Sequence, residues 1–253
     1  MRFTSQTTSN GVSERLFTLN DIPGVLWSPA DTGGSRPLVL LGHGGGQHKQ
    51  APGLVARARR YVTACGFAVA AVDAPGHGGR PRNEQDERSV ADIRERVAAG
   101  EPLGQHVARY NAALAARAVP EWQAALDALE EVDYVGGGGP VGYWGVSMGC
   151  WIGVPFAAAE PRITAAVFGL AGGDTLAEAA VRVTVPVEFL LQWDDEVVPR
   201  DSGLALFGAF ASREKTLHAS PGRHAGVPAF ELDSSERFFS RHLLAGGTSA
   251  TAG

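Results

Sequence analysis

The sequence predicts an α/β fold, a mostly parallel central sheet flanked by helices. Three observations predict it. Short runs such as Pro37–Leu41 and Phe67–Val72 are apolar without interruption, as strands covered on both faces are. Both run straight into glycine-rich segments, Gly42–Gly46 and Asp73–Gly79. Helix-like stretches separate such runs, so strand, helix and strand recur, which is the signature of right-handed βαβ units.

Composition sets the bounds. The chain has 253 residues, enough for one large α/β domain or two small ones. Apolar residues make up 44% and charged ones 19%, which supplies a sizeable core and excludes disorder as a whole. A net charge of −5 argues against a nucleic-acid-binding role. No apolar run reaches the length of a membrane span. Residues 1–10 are polar and lack the apolar stretch of a signal peptide, so the expected location is cytoplasmic. The two cysteines, Cys65 and Cys150, lie in apolar surroundings and are read as buried, reduced thiols.

The elements follow in order. Arg2–Thr8, Glu14–Leu19 and Gly24–Trp27 read as antiparallel edge strands, separated by Asn10-Gly11, a hairpin signal, and by Asp21-Ile22-Pro23. Pro37–Leu41 is the first buried strand, Pro52–Ala64 a helix and Phe67–Val72 the second buried strand. Residues 80–120 break the rhythm. Arg80–Glu87 is charged and loop-like, and Ser89–Ala99 and Gly104–Val119 are helical. This excursion suits either a small cap over a site or ordinary surface helices. Pro120 suits the first turn of a further helix, Glu121–Val132. Val141–Trp144 is a strand and Cys150–Glu160 a helix. Ile163–Leu170, Val185–Trp193 and Glu214–Ala219 are strands; 175–182, Ser202–Ala211 and Leu232–Leu244 are helices. Residues 1–245 are expected to form one domain, and 246–253 a flexible tail.

Chemistry is concentrated at Gly145-Val146-Ser147-Met148-Gly149. The pattern is G-x-S-x-G between a strand and a helix, the context in which it carries meaning. A sharp turn leaves no room for side chains at its flanks, hence the two glycines. The serine at the apex is pushed out of the sheet. The Met148 amide starts a helix, where its N–H lacks an intrahelical acceptor and can face an oxyanion. The bland reading is a glycine-rich turn with an incidental serine, in a chain of 33 glycines. Two further segments stand at strand ends, Asp194-Asp195-Glu196-Val197-Val198-Pro199 and Gly222-Arg223-His224-Ala225-Gly226. Ser, Asp and His thus occur in that order along the chain.

With GHGGG at 42–46, DAPGHG at 73–78, GVSMG at 145–149, DDEVVP at 194–199 and GRHAG at 222–226, the chain resembles the α/β-hydrolase superfamily over nearly its whole length. Within it, the chain looks most like small bacterial esterases of the dienelactone-hydrolase and related carboxylesterase groups. The resemblance implies an α/β-hydrolase fold and a Ser-His-Asp triad. Ser147 is the implied nucleophile. A serine hydroxyl needs a base, and histidine suits that role near neutral pH. His224 follows the last strand between two glycines. His218 lies inside the strand run and is read as packed, and His43 as support for its glycine loop. In the family pattern the acid stands four residues before a proline, which selects Asp195 with Pro199; Asp194 stays open, with Glu196 more remote. The oxyanion donors implied are the amides of Met148 and Gly45, with Gly44 next.

GHGGG lacks the Lys-Ser/Thr ending of a phosphate loop and the spacing of a dinucleotide site. No histidine pair has zinc spacing, so neither a metal nor another cofactor is expected. The expected activity is hydrolysis of a small carboxylic ester through an acyl-enzyme. A thioesterase, lactonase, peptidase or cofactor-free perhydrolase would use the same residues. A binding protein on a hydrolase scaffold would have no use for all three triad members. Oligomeric state is not legible in the sequence.

Overall fold

The structure is a computed structural model that describes residues 1–31, 33–135 and 137–244; the expected tail at 246–253 lies outside them. Nine strands and seven helices make up the described chain, and strands and helices alternate after the first four strands except where α2 and α3 follow each other. Three antiparallel strands open it: β1 (Arg2–Ser9), β2 (Val12–Leu19) and β3 (Ile22–Pro29). Asn10 and Gly11 both have positive φ, as a type I′ hairpin turn requires. Ile22 and Pro23, expected in the second turn, instead begin β3, and the positive φ falls on Asn20.

The parallel part of the sheet consists of β4 (Leu38–Gly42), β5 (Ala68–Val72), β6 (Val141–Gly145), β7 (Ile163–Gly169), β8 (Val187–Gln192) and β9 (Lys215–Ser220). The strand order is β1-β2-β3-β5-β4-β6-β7-β8-β9, with β3 antiparallel to β5 and all later pairs parallel. Strands β4, β5, β6 and β8 are buried along their whole length, which is why β4 and β5 are continuous apolar runs; β8 buries Glu188 and Gln192 as well.

Helices α1 (Pro52–Cys65) and α7 (Glu231–Leu244) cover one face, where Val39, Leu41, Val69 and Phe239 pack. The other face packs Leu40, Tyr143, Phe168 and Phe189 under α3 (Gly104–Glu130), α4 (Met148–Ala159), α5 (Asp174–Ala180) and α6 (Arg200–Ala209). Alternation of side chains along each strand separates the two cores.

Two elements correct the sequence reading. Helix α2 spans Glu84–Ala99, a turn earlier than expected. The Asn83 side chain caps the Asp86 amide at 2.8 Å, and Glu84, Asp86 and Glu87 suit the positive end of the helix dipole. Helix α3 is one helix of 27 residues that passes through Pro120 instead of restarting there. A proline inside a helix costs about 3 kcal/mol. Here a single buried stripe, Leu114, Ala118, Trp122, Ala125 and Leu129, crosses the proline and outweighs that local cost. Both cysteines are free; Cys150 is buried, but Cys65 is only half-buried and lies 3.1 Å from Ser240 Oγ. Among the described residues, no helix is long and apolar enough to cross a membrane.

Candidate active site

The site lies at the carboxyl ends of the parallel strands, where connecting loops converge. Strands β4 and β6 run side by side with Gly42 paired to Gly145, so the Gly44–Gly46 loop and the Ser147 turn leave the sheet together. Ser147 has φ 55° and ψ −124°, a backbone conformation that L-residues rarely adopt. It is held by the Ser147 amide, which donates to Gly169 O at 2.9 Å, and by α4, which starts at Met148. The flanking glycines are required by space. A Cβ on Gly145 would stand 2.6 Å from Gly149 O, and one on Gly149 would stand 2.4 Å from Gly42 O. Those contacts are with backbone, which has nowhere to go.

The structure brings Ser147, His224 and Asp195 together. His224 Nε2 is 2.9 Å from Ser147 Oγ, and His224 Nδ1 is 2.7 Å from Asp195 Oδ2. The Asp195 side chain is 4% exposed and that of His224 is 18%. A carboxylate only accepts, so His224 carries its proton on Nδ1. Its Nε2 is then free to accept the serine proton. Asp195 Oδ1 accepts the amides of Val197 and Val198, both at 2.8 Å, which locks the carboxylate in place.

Asp194 and Glu196 hold the histidine loop at other points. The Asp194 amide donates to Gly222 O at 3.1 Å, and its carboxylate accepts the Gly222 amide at 3.3 Å. Glu196 accepts the His224 amide at 3.0 Å and pairs with Arg223 at 3.2 Å. The His224 amide and then its other donors hold the Glu196 carboxyl down at about 2. The sequence reading ranked Glu196 as a remote triad acid and gave it no part in holding this loop. Its place immediately after Asp195 was the available signal.

The glycine loop offers two amides of unequal availability. The Gly44 N–H donates to Gln47 Oε1 at 3.3 Å. The amides of Gly45 and Met148 have no protein acceptor among the described residues. The loop is tied from behind. His43 donates from Nδ1 to Gly44 O at 2.9 Å and accepts the Ala74 amide on Nε2 at 3.0 Å. Asp73 is fully buried and accepts the amides of Lys49 and Gly79 and the Lys49 ammonium at 2.9 Å. Burial alone would raise the Asp73 carboxyl; those donors outweigh it and hold it below the usual carboxylate range.

Burial, more than any other influence, lowers His43 from 6.5 to about 4. The unfolded chain therefore binds a proton that the folded chain refuses. The neutral ring contributes its full stability above about pH 6.5, and that contribution is lost as the pH falls towards 4. The expected loss is roughly 3 kcal/mol between those limits. Urea unfolding at pH 7 and pH 4.5 measures it, and His43→Asn should flatten the difference. An equally steep dependence in the variant would assign the effect to other groups.

A cleft of about 680 Å³ opens beside these loops. Trp151, one turn after Ser147 in α4, forms part of its wall, with Val107, Ala108 and Arg109 of α3 and Val197 and Pro199 after Asp195. The excursion at 80–120 thus reaches this cleft through the first turns of α3. It is braced by two bidentate pairs: Arg80 with Glu121 at 2.6 and 2.7 Å, and Arg117 with Asp86 at 3.0 and 2.6 Å. Leu170 lines a separate narrow gap next to Asp195.

No family model and no curated protein matches the chain. Solved structures do. A cold-adapted esterase from an Arctic intertidal metagenomic library, in its PEG-bound complex, is 36% identical with a TM-score of 0.77, over 96% of this chain and 100% of that one. Its native structure gives 33% and 0.72 over the same shares. Est1E from Butyrivibrio proteoclasticus, solved with ferulic acid bound, is 16% identical with a TM-score of 0.65, over 90% of this chain and 99% of that one; this likeness is one of fold.

Proposed function

The chain belongs to the α/β-hydrolase superfamily as a carboxylesterase, and on that premise we propose that Ser147, His224 and Asp195 are the catalytic triad with which it cleaves carboxylic esters. The observation that carries the reading is the unbroken relay from Asp195 through His224 to Ser147, at 2.7 and 2.9 Å. Ser147 Oγ attacks the ester carbonyl carbon while its proton passes to His224 Nε2. The oxyanion so formed is held by the amides of Gly45 and Met148, which are preorganised and have no other acceptor to leave. Gly44 is the weaker donor because Gln47 already occupies it. Collapse of the intermediate expels the alkoxide, which leaves as the alcohol with the proton from His224 Nε2. Water then attacks the acyl-enzyme, giving its proton to His224; the acid departs and Ser147 regains its proton.

The cleft is the proposed seat of the substrate, with the start of α3 as its outer wall. Its volume lies within the range of small-molecule sites, and its wall mixes Trp151, Val107 and Val197 with few charges. Short and medium acyl esters fit such a space. A p-nitrophenyl ester series tests this: turnover should be highest between acetate and octanoate and fall away at palmitate. Turnover that rises steadily to palmitate would refute the bounded cleft. Turnover of thioesters, lactones or amides with none of esters would refute the substrate class.

A further inference from the structure

On the sheet face opposite the Ser147 helix, three ionisable side chains from three elements converge. Glu188 projects from β8 towards the side covered by α1 and α7, since its neighbours Val187 and Phe189 face the other core. His218 lies on the adjacent β9, and Glu231 begins α7. One carboxylate oxygen of each glutamate and one imidazole nitrogen all lie within 4.8 Å of one another. His218 Nδ1 is 2.8 Å from Glu231 Oε2, and His218 Nε2 is 3.9 Å from Glu188 Oε2. Both glutamate side chains are only 4% exposed.

The second oxygen of Glu188 makes the cluster more than a packed polar patch. Glu188 Oε1 is buried with no hydrogen-bond partner among the described residues. Buried carboxylates are ordinarily paired or bound to a cation, because leaving one uncompensated is costly. The neighbouring guanidinium of Arg57 makes no hydrogen bond to it. Arg57 donates to Tyr61 Oη at 3.0 Å and Ser235 Oγ at 2.6 Å and stacks over Trp144 at 4.0 Å. Glu188 Oε1 is thus a buried acceptor left open beside two further ligand-type side chains.

We propose that Glu188, His218 and Glu231 form a second site, remote from the Ser147 hydroxyl, that binds one divalent transition-metal cation of the zinc class. The donor set selects the class. Two carboxylate oxygens and an imidazole suit a borderline cation, whereas calcium and magnesium favour all-oxygen shells. Zinc brings tetrahedral ligand atoms to about 3.4 Å apart, so modest rotation of the two carboxylates closes the site. Water completes the coordination. The cation would cross-link β8, β9 and α7, beneath the two strands that lead into Asp195 and His224. No linear motif announces it, because each ligand comes from a different element.

The test uses the full chain, stripped with EDTA, dialysed and titrated with zinc chloride by calorimetry and thermal unfolding. Wild type should bind one zinc at this site, with Tm rising by roughly 5–10 °C at zinc 100-fold above Kd. Glu188→Gln and Glu231→Gln, near-isosteric changes that each remove a buried charge, should weaken that binding at least about 10-fold. His224→Ala should retain it, which separates this site from zinc held by the active-site imidazole. Absence of zinc binding by wild type would overturn the proposal. So would unchanged binding in both glutamine variants, or its loss in His224→Ala alone.

Discussion

Replacing Ser147 by alanine should lower kcat for p-nitrophenyl butyrate by about 10⁴- to 10⁶-fold, with folding unchanged. The size follows from what the hydroxyl does. Its oxygen is hydrogen-bonded to His224 Nε2 at 2.9 Å, and in the proposed mechanism it is the atom that forms the acyl-enzyme. Stability should not move, because the unusual φ of 55° is imposed by the turn and is shared by any residue placed there. The Ser147 side chain makes no capping bond to α4. What remains after the substitution is catalysis by the amides and the cleft acting on water. Burst kinetics give an independent reading, since wild type should release p-nitrophenol in a burst and the variant should show none. Retention of more than about a tenth of the activity would exclude Ser147 as the nucleophile.

Asp195→Asn should cost about 10⁴-fold in kcat, and the reason is tautomeric. Asp195 Oδ1 accepts two amides, from Val197 and Val198. In the variant those donors demand the amide oxygen, so the NH₂ group turns to His224 Nδ1. That nitrogen must then accept, which moves the imidazole proton to Nε2. A protonated Nε2 cannot take the proton of Ser147. Asp194→Asn should cost less than about 10-fold, because its carboxylate reaches only the Gly222 amide, at 3.3 Å. Steady-state kinetics of the two variants side by side decide the assignment. Equal losses, or a larger one at Asp194, would overturn it.

These adjacent aspartates show how far the chain can be read without coordinates. Both follow β8, and a family pattern alone favoured one. Separation came only with β9, whose register against β8 pairs Gln192 with Ser220 and carries His224 to one carboxylate and Gly222 to the other. The glycine loop repeats the lesson. The resemblance puts Gly45 first and Gly44 next; the contact that separates them is Gln47, which folds back on the Gly44 amide and leaves that of Gly45 open. Trp151 serves as both core and wall, 5% exposed within the core and lining the cleft.

What the sequence determined by itself was whatever short-range sterics and patterning dictate. Apolar runs specified buried strands, Asn10-Gly11 specified its hairpin, and Gly145 and Gly149 specified a turn too tight for any other residue. Chain order then placed a serine, an acid and a histidine at strand ends. Tertiary structure decided everything that depends on residues far apart in the chain. It carried α3 through Pro120, because a buried stripe outweighs a local propensity. It brought His224 to Asp195 and not to Asp194, and tied the Gly44 amide, not the Gly45 amide, to Gln47. It also assembled Glu188, His218 and Glu231, which share no spacing that a linear reading could detect. A side chain's chemistry is set by the few atoms around it, and for these residues most of those atoms come from distant segments.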